Sequence, residues 1–394
     1  MEPKRYCGLI FVVTAVALVL VAIFNLMVDP LGAYRPVSLQ SFEPLRGTLL
    51  TRTARGELAR RGPWDTIVLG TSRPKAGLPA HHPVFATNRV CNLAVDAARM
   101  SEAAAILDYV GVRQPLRRVV LFLDFAMFRT STFYKYDFAE SRFNPKLSLF
   151  EYHCKNLIGA DITERSRKFT SRRMRGFTPP EGETNGFYVH SLRARTSQRE
   201  LFERVLRTHA WGYAALRPAQ DQMEELRRLV RSCRESGIEL TIALNPVHAL
   251  DLELWRAGDN WERFEQWKRD VVAILADENV AQRFAVWDFS GYSEFATEEV
   301  PPAGDTAARM KFYFENSHYT PALGALMLDR MFGAATNNFG AKISTANIEE
   351  HLQVIRNQRE IYARSHAAEV EWVKRISKDA LATRKKSSEA EEVE

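Results

Sequence analysis

The first pattern along the chain is one long apolar run. Residues 6–28 carry no charged side chain, and Asp29 and Pro30 follow them. Because a helix rises about 1.5 Å per residue, the run can cross a hydrocarbon core of roughly 30 Å. Lys4 and Arg5 precede it, and since basic residues mark the cytoplasmic end of a span, the N-terminus is predicted to be cytoplasmic and the rest of the chain exported. A cleaved signal peptide is the alternative, although the run exceeds a usual signal core and ends without a small-residue cleavage site.

Beyond residue 63 the pattern changes to short apolar runs bounded by turn residues. Helix-period stretches lie between most of them, for example over 99–112 and 219–235. Apolar strands that alternate with helices are typical of a parallel sheet covered on both faces, with functional residues at the carboxyl ends of the strands. We therefore predict an α/β fold, a three-layer α/β/α sandwich with a parallel sheet. The predicted strands are 66–69, 90–93, 118–123, 238–244 and 284–289.

These patterns predict four regions. They are a cytoplasmic tip and transmembrane anchor (1–30), a juxtamembrane connector with an Arg-rich helix (31–63), the α/β domain (64–340), and a C-terminal helix with a disordered tail (341–394). The Arg-rich helix is expected over 45–61. The C-terminal helix is expected over 344–379, where it either packs on the body or docks a partner.

The stretch 125–216 is much longer than a crossover between strands needs, so it is predicted to be an insertion or cap. An Arg-rich segment within it, over 165–195, is interpreted either as a solvated basic surface or as an anion-attracting flank of a cleft.

Composition limits the functional classes. The 394 residues are 46% hydrophobic and 26% charged, with 20 Gly and 17 Pro, which excludes a collagen-like or wholly disordered chain. Four Cys are too few for a disulfide scaffold, and one disulfide without a readable pairing is compatible with the three that follow the apolar run. A net charge of +6 suits an anionic surface but does not indicate nucleic acid. No P-loop, dinucleotide-binding turn or metal-ligand spacing is evident, so no cofactor and no metal are predicted.

Two segments far apart in the chain carry the candidate chemistry. Ser72 follows the first predicted strand, where a side chain can face a cleft at the carboxyl edge of the sheet. A serine hydroxyl needs a base within hydrogen-bond reach and donors for the oxyanion. His318 precedes a predicted helix, and Glu315 stands three residues before it, close enough in a turn to orient the imidazole. We predict Ser72 as nucleophile, His318 as base and Glu315 as its acid, with Asp288 after the fifth strand as an alternative acid.

Three further residues face the same predicted edge. Asn245 and His248 follow the fourth strand and are expected to line a substrate pocket, although turn chemistry explains an Asn there equally well. Arg73, beside Ser72, is expected either to meet an anionic substrate or to form a surface ion pair.

Four segments together resemble the SGNH/GDSL hydrolase superfamily, in particular its membrane-anchored envelope branch, which includes proteins of alginate and peptidoglycan O-acetylation and of teichoic-acid D-alanylation. The segments are LGTSR (69–73), CNLAVDAARMSE (91–102), VVLFLDFAMF (119–128) and ENSHYTPALGALML (315–328). The resemblance implies that Ser72 is the nucleophile and His318 the base. It further implies that Asn92 and Ala94 belong to an oxyanion-binding block in which glycine is more usual than Ala94. Asp124 stands in the region where the family has an Asn donor.

The leading hypothesis is a membrane-anchored O-acyltransferase or acylesterase that acts on a cell-surface glycan through a Ser-His-acid mechanism. The resemblance implies a single-pass protein of the bacterial cytoplasmic membrane with a periplasmic or extracellular body. A non-catalytic glycan-binding or scaffolding component of an envelope complex is the alternative. The resemblance also implies a membrane-embedded acyltransferase partner that supplies acyl groups, and no nucleic-acid partner is expected.

Overall fold

The structure is a computed structural model that describes residues 3–46, 51–86, 88–129, 136–179, 185–188, 196–213, 216–278, 280, 283–333 and 338–391. Its strands are β1 Thr66–Leu69, β2 Val90–Asn92, β3 Arg118–Leu123, β4 Glu239–Leu244, β5 Ala285–Asp288 and β6 Ala341–Ile343. The helices are α1 Pro3–Val28, α2 Glu43–Arg46, α3 Arg52–Arg61, α4 Ser72–Gly77, α5 Met100–Gly111, α6 Tyr136–Ala139, α7 Leu149–Ile158, α8 Ala160–Met174, α9 Gln198–Tyr213, α10 Gln220–Glu235, α11 Ala249–Ala257, α12 Trp261–Asp277, α13 Pro321–Phe332, α14 Ile348–Ser365 and α15 Ala367–Glu391.

The fold is mixed α/β, built on a six-stranded sheet in the order β2-β1-β3-β4-β5-β6. The first five strands are parallel, so the five predicted strands and their direction are confirmed. They were recognisable because the residues of β1, β3 and β4 are almost all buried and form near-continuous apolar runs. β6 was not predicted. It pairs antiparallel with β5 at the sheet edge, and its three residues are too few to show a pattern.

The strand order creates a crevice where the candidate serine lies. β2 lies on one side of β1, and β3, β4 and β5 follow in turn on the other side. The strand order therefore reverses between β1 and β3. In open α/β sheets, ligands bind outside the carboxyl ends of the strands at such a reversal. Ser72 follows β1 and Asp124 follows β3, so these two residues stand on either side of the reversal.

The chain divides into two compact units. One comprises Met1–Gly62 with Phe133–Gly186, and the other comprises Pro63–Thr132 with Phe187–Glu394. The second unit contains the whole sheet. In it, α5 packs on α10, α13 packs on α4, and α15 packs on both α9 and α11.

In the first unit the apolar helix α1 ends inside a small core. Val28 packs with Phe42, Leu45 and Phe169, and the helices α7 and α8 flank α1. Asn25 is buried and donates to Leu157 O at 2.8 Å. Most residues before position 21 are exposed, and α1 is long and apolar enough to cross a membrane.

Two predicted helices differ from those in the structure. The expected helix over 45–61 is represented by α2 and by α3, which starts after the capping hydroxyl of Thr51; residues 47–50 lie outside the described part. The expected single helix over 344–379 is two helices that meet at His366. The predicted disordered tail is SSEAEEVE (387–394). Its residues 387–391 continue α15, and 392–394 lie outside the described part. All four cysteines are free thiols, so the possible disulfide is not formed.

Candidate active site

The candidate nucleophile is held by a turn that requires glycine. Gly70 has φ +148°, and a Cβ atom there would lie 2.8 Å from Phe122 O. The hydroxyl of Thr71 then accepts from Arg73 N at 3.3 Å and caps α4. Ser72 is therefore the first residue of α4, a position whose N–H has no acceptor within the helix.

The candidate base is carried by a tight loop just before α13. Phe314 N donates to His318 O at 2.9 Å, and a bridge between Tyr313 and Tyr319 closes the loop. Pro321 occupies the start of α13, where its fixed φ suits the first helical position. The loop is thus anchored on both sides, which fixes the direction of the imidazole.

Ser72, His318 and Glu315 form a connected hydrogen-bonded chain. The His318 Nε2 atom lies 2.7 Å from Ser72 Oγ, and its Nδ1 contacts Glu315 Oε1. A carboxylate only accepts hydrogen bonds, so we assign the proton to Nδ1, which leaves Nε2 free to accept the serine proton. Glu315 also accepts from the Ser317 and His318 amides, both at 2.9 Å. The structure therefore brings together the three residues that the sequence predicted as nucleophile, base and acid.

The environment keeps Glu315 ionised. Burial would raise the pKa of Glu315, but the charge and hydrogen bond of His318, with further lowering by His209 and the Ser317 amide, bring it to about 2. The Glu315 side chain is 8% exposed, whereas that of His318 is 32% exposed. A buried carboxylate thus orients an imidazole that still reaches solvent, as acid-base chemistry at a cleft requires.

Arg73, Asp124 and Asn245, expected to bind substrate or the oxyanion, instead form a buried network behind Ser72. The Arg73 guanidinium pairs with Asp124 Oδ1, and its Nε donates to Ser317 O at 2.9 Å. The other Asp124 oxygen accepts from Thr71, and Asn245 Nδ2 donates to Asp124 at 3.1 Å. Burial lowers the pKa of Arg73, but the charge of Asp124 outweighs this effect. The pKa of Arg73 is therefore raised above its usual value. These groups satisfy one another, so of the two expectations for Arg73 the structure shows the ion pair, which is buried rather than at the surface. A role of the three residues toward substrate or the oxyanion stays a prediction.

Asn92 and Ala94 also differ from their expected oxyanion role. Both are fully buried. Ala94 N donates to Asn92 Oδ1 at 3.1 Å, and Asn92 Nδ2 donates to Pro74 O at 3.1 Å. The Ala94 amide is therefore already hydrogen-bonded, and Asn92 ties the segment after β2 to α4.

His248 and Asp288 have structural partners that exclude their expected roles. His248 caps α11 and its Nε2 bonds Glu298 O at 2.7 Å, so it is a buried cap rather than a pocket-lining residue. Asp288, the alternative acid, accepts from Lys268 at 2.7 Å and from His351 at 2.8 Å. Burial raises the pKa of Asp288, but Lys268 and, to a smaller extent, His351 outweigh this effect. The pKa of Asp288 is therefore lowered below its usual value.

The basic segment over 165–195 is described in part, and its first turns lie in α8. Part of α8 lines a groove of about 340 Å³ with both acidic and basic residues: Asp161, Glu164, Arg165, Lys168, Phe169 and Arg172. Glu164 pairs with both Arg167 and Lys168. Arg193 and Arg195 lie outside the described residues. Among the described residues, no group of three or more His, Cys, Asp or Glu side chains is placed to hold a metal ion.

The structure adds residues that the sequence did not reveal. Asp251 in α11 is fully buried and accepts from Asn316 Nδ2 at 2.6 Å and from His209 Nδ1 at 3.0 Å. Asn316 directly follows Glu315, so this second cluster adjoins the acid of the triad. The one available signal is the position of Asn316 within the acid-x-x-His segment, because nothing in the sequence connects α9 and α11 to that loop.

No protein-family model and no curated protein matches this chain. The function is therefore inferred from the geometry and the chemistry of the residues. An oriented imidazole beside a serine hydroxyl at a sheet crevice is suited to nucleophilic attack on an acyl carbonyl.

Proposed function

We propose that this protein is a serine acylesterase or O-acyltransferase that uses Ser72, His318 and Glu315. The observation that carries the proposal is the 2.7 Å contact between Ser72 Oγ and His318 Nε2. The two residues are 246 positions apart in the sequence. A serine after a strand is most often a turn or capping residue. Here Thr71 takes the capping role, which leaves the hydroxyl of Ser72 to the imidazole.

The reaction would proceed in two balanced steps. Ser72 Oγ attacks the acyl carbonyl while its proton passes to His318 Nε2, and the departing alcohol receives that proton as the ester bond breaks. The second alcohol, or water, then attacks the acyl carbon and gives its proton to His318. His318 returns that proton to Ser72 Oγ as the bond from the acyl carbon to Oγ breaks, which restores the free enzyme. In both steps Glu315 stabilises the imidazolium through Nδ1.

Oxyanion stabilisation would depend mainly on the Ser72 amide. This amide starts α4, so it is available to a developing negative charge. The Ala94 amide is held by Asn92, and the Asp124 carboxylate by Arg73. Because removal of one oxyanion donor costs a factor of about 10² to 10³ in rate, we expect a slower enzyme than one with a full set of donors.

We also propose the finer fold and family assignments as part of this function. The parallel strand order, a nucleophile directly after β1, and a base directly before a late helix support a three-layer SGNH-like sandwich. The cell-surface glycan substrate and the membrane-embedded acyl-donating partner remain proposals that follow from the resemblance of the four segments.

We propose that α1 is a retained membrane anchor rather than a cleaved signal. A signal peptide leaves the mature protein, whereas the last turns of α1 are built into a folded core. Asn25, Val28 and Asp29 are each no more than 3% exposed. Arg46 further fastens this end, since its Nε donates to Asp29 O at 2.9 Å. Mass determination and N-terminal sequencing of the membrane-purified protein should find α1 intact, and a mature chain that begins after residue 28 would refute the anchor.

Covalent trapping tests the catalytic proposal. Full-length protein in mild detergent should be labelled at Ser72 by a fluorophosphonate, with labelling abolished in Ser72→Ala and reduced at least 100-fold in His318→Ala. Ser101→Ala is a matched control, because Ser101 lies in α5, outside the triad. Wild-type protein that resists the probe and hydrolyses neither acetyl esters nor acetylated glycans would refute the proposal.

A second function, a non-catalytic glycan-binding or scaffolding module, is favoured by one observation. Ala94 and Asp124, at two positions where the resemblance implies oxyanion donors, offer an engaged amide and an ion-paired carboxylate. In that case Ser72→Ala should complement a deletion strain fully. A Ser72→Ala strain that reproduces the deletion phenotype, with normal protein levels, would exclude the module.

A further inference from the structure

His209 forms a second oriented imidazole beside the loop that carries the catalytic base. Its Nδ1 lies 3.0 Å from Asp251 Oδ1, and Asp251 is fully buried. Tyr213 OH and Trp255 Nε1 both donate to the other oxygen of Asp251, at 3.1 and 3.2 Å. This carboxylate is fixed by its surroundings, so it fixes the orientation of His209 in turn.

The protonation pattern leaves a lone pair facing outward. Because the Asp251 carboxylate can only accept, the proton of a neutral His209 belongs on Nδ1, and Nε2 is then an acceptor. The His209 side chain is 24% exposed. Among the described residues, Nε2 has no hydrogen-bond partner and is not one of the buried unsatisfied atoms, so it is open to a ligand.

Two contacts connect His209 to the triad. Asn316 Nδ2 donates at 2.6 Å to Asp251 Oδ1, the oxygen that also accepts from His209, and Asn316 is the residue after Glu315. From the other side, Arg73 NH2 lies 3.9 Å from Asp251 Oδ2, and Arg73 follows Ser72. Burial raises the pKa of Glu315 and His318 lowers it. His209, whenever it is protonated, lowers it further. The two imidazoles thus share one electrostatic environment.

We propose that His209 and Asp251 form an acceptor-binding subsite, in which His209 Nε2 accepts a hydrogen bond from a non-reacting hydroxyl of a polyhydroxylated acceptor such as a sugar. This inference rests on the proposed function. The reacting hydroxyl forms its bond to the acyl carbon and gives its proton to His318. His318 passes that proton to Ser72 Oγ as the bond from the acyl carbon to Oγ breaks. His209 takes part in no bond exchange and selects acceptors that carry a neighbouring hydroxyl.

Two acceptors of different shape test this assignment. With p-nitrophenyl acetate as donor, the full-length protein should transfer acetyl to methyl β-glucoside, which has neighbouring hydroxyls, and to ethanol, which has none. In His209→Asn the side-chain amide nitrogen can still donate from about the position of Nδ1, but no atom occupies the position of Nε2. The transfer-to-hydrolysis ratio of this variant for the glucoside should fall about tenfold relative to its ratio for ethanol, the effect of one lost hydrogen bond. His209→Gln, which reaches the Nε2 position, should recover part of that loss.

Controls separate this inference from the proposed function. His81→Gln changes an exposed histidine of the same unit and should leave both ratios as in wild type. Equal losses for glucoside and ethanol in His209→Asn, or no loss, would overturn the subsite while Ser72 labelling still supported the triad. A wild type that hydrolyses the ester but transfers to neither acceptor would also overturn the subsite. Absence of Ser72 labelling in wild type would instead refute the proposed function.

Discussion

Arg73 shows how one side chain can connect two parts of the triad. It follows Ser72, and its guanidinium binds both Asp124 and the carbonyl of Ser317, the residue before His318. The side chains of Arg73 and Asp124 are only 9% and 4% exposed. Removal of one partner of such a buried pair leaves an uncompensated charge, so it is far more costly than removal of both.

A double-mutant cycle measures this coupling. Arg73→Gln and Asp124→Asn should each lower the free energy of unfolding by about 3–5 kcal/mol, and the double variant should lose less than the sum. Urea denaturation of the detergent-solubilised protein gives these values. Arg207→Gln, which breaks the exposed pair with Glu203, is the matched control and should change stability by less than about 1 kcal/mol. Additive losses at Arg73 and Asp124 would show that the pair is not coupled.

His248 makes the fold sensitive to acid. Burial lowers its pKa from 6.5 to about 4, so between these values the unfolded chain binds a proton that the folded chain does not. The free energy of unfolding should therefore fall as pH drops from about 6.5 to about 4, by up to about 3 kcal/mol from this residue. His248→Asn retains a capping side chain and does not titrate, so its stability should decline less over that window. Parallel declines in urea midpoints for both proteins would contradict the assignment.

At the residue level the sequence predicted which side chains meet at the candidate site, but it did not predict which of the neighbouring polar residues are buried. The serine after a strand and the acid-x-x-His spacing were enough to predict Ser72, Glu315 and His318. The sequence allows Arg73 either an anionic substrate or an ion pair, and it places Asp124 at an oxyanion position only through the resemblance. Their pairing with each other could not be predicted, because mutual contacts are not visible in a sequence. His209 and Asp251 were missed because their proximity to the triad depends on how α9 and α11 pack.

At the level of elements, the strands were predictable and the contacts between helices were not. Continuous apolar runs mark buried parallel strands, but the three residues of β6 carry no such signal. The spacing between α4 and α13, which positions Ser72 relative to His318, depends on two glycines. A Cβ atom at Gly324 would lie 1.9 Å from Gly77 O, so α13 approaches α4 with no room for a side chain.

Gly324→Ala should therefore push α13 away from α4 and disturb the contact between serine and imidazole. We expect the rate of fluorophosphonate labelling at Ser72 to fall at least tenfold, with a loss of stability of about 1–3 kcal/mol from overpacking. Gly111→Ala is the control, because a Cβ atom there meets nothing within 4 Å, and its stability should change by no more than about 1 kcal/mol. Labelling of Gly324→Ala at the wild-type rate would show that helix spacing does not set the triad geometry.

At the level of the whole molecule, the C-terminal helices belong to the body rather than extending from it. Val370, Val373 and Ile376 of α15 are no more than 5% exposed, and α15 packs on α9 and α11. In α14, Arg359 pairs with Glu253 at 3.1 Å. The sequence left open whether this region packs on the body or docks a partner. The apolar stripe of α15 packs on the body, because α9 and α11 cover it.

Deletion of residues 367–394 tests this architecture. Loss of α15 would expose the faces of α9 and α11, the helices that carry His209 and Asp251. Since a fully buried Val or Ile contributes about 1.5–3 kcal/mol, the truncated protein should unfold at a clearly lower urea concentration and aggregate more readily. Val373→Ala should reproduce part of the loss, whereas Val354→Ala, at a position 47% exposed, should be nearly neutral. A truncated protein with wild-type stability and Ser72 labelling would instead identify α15 as a separable docking element.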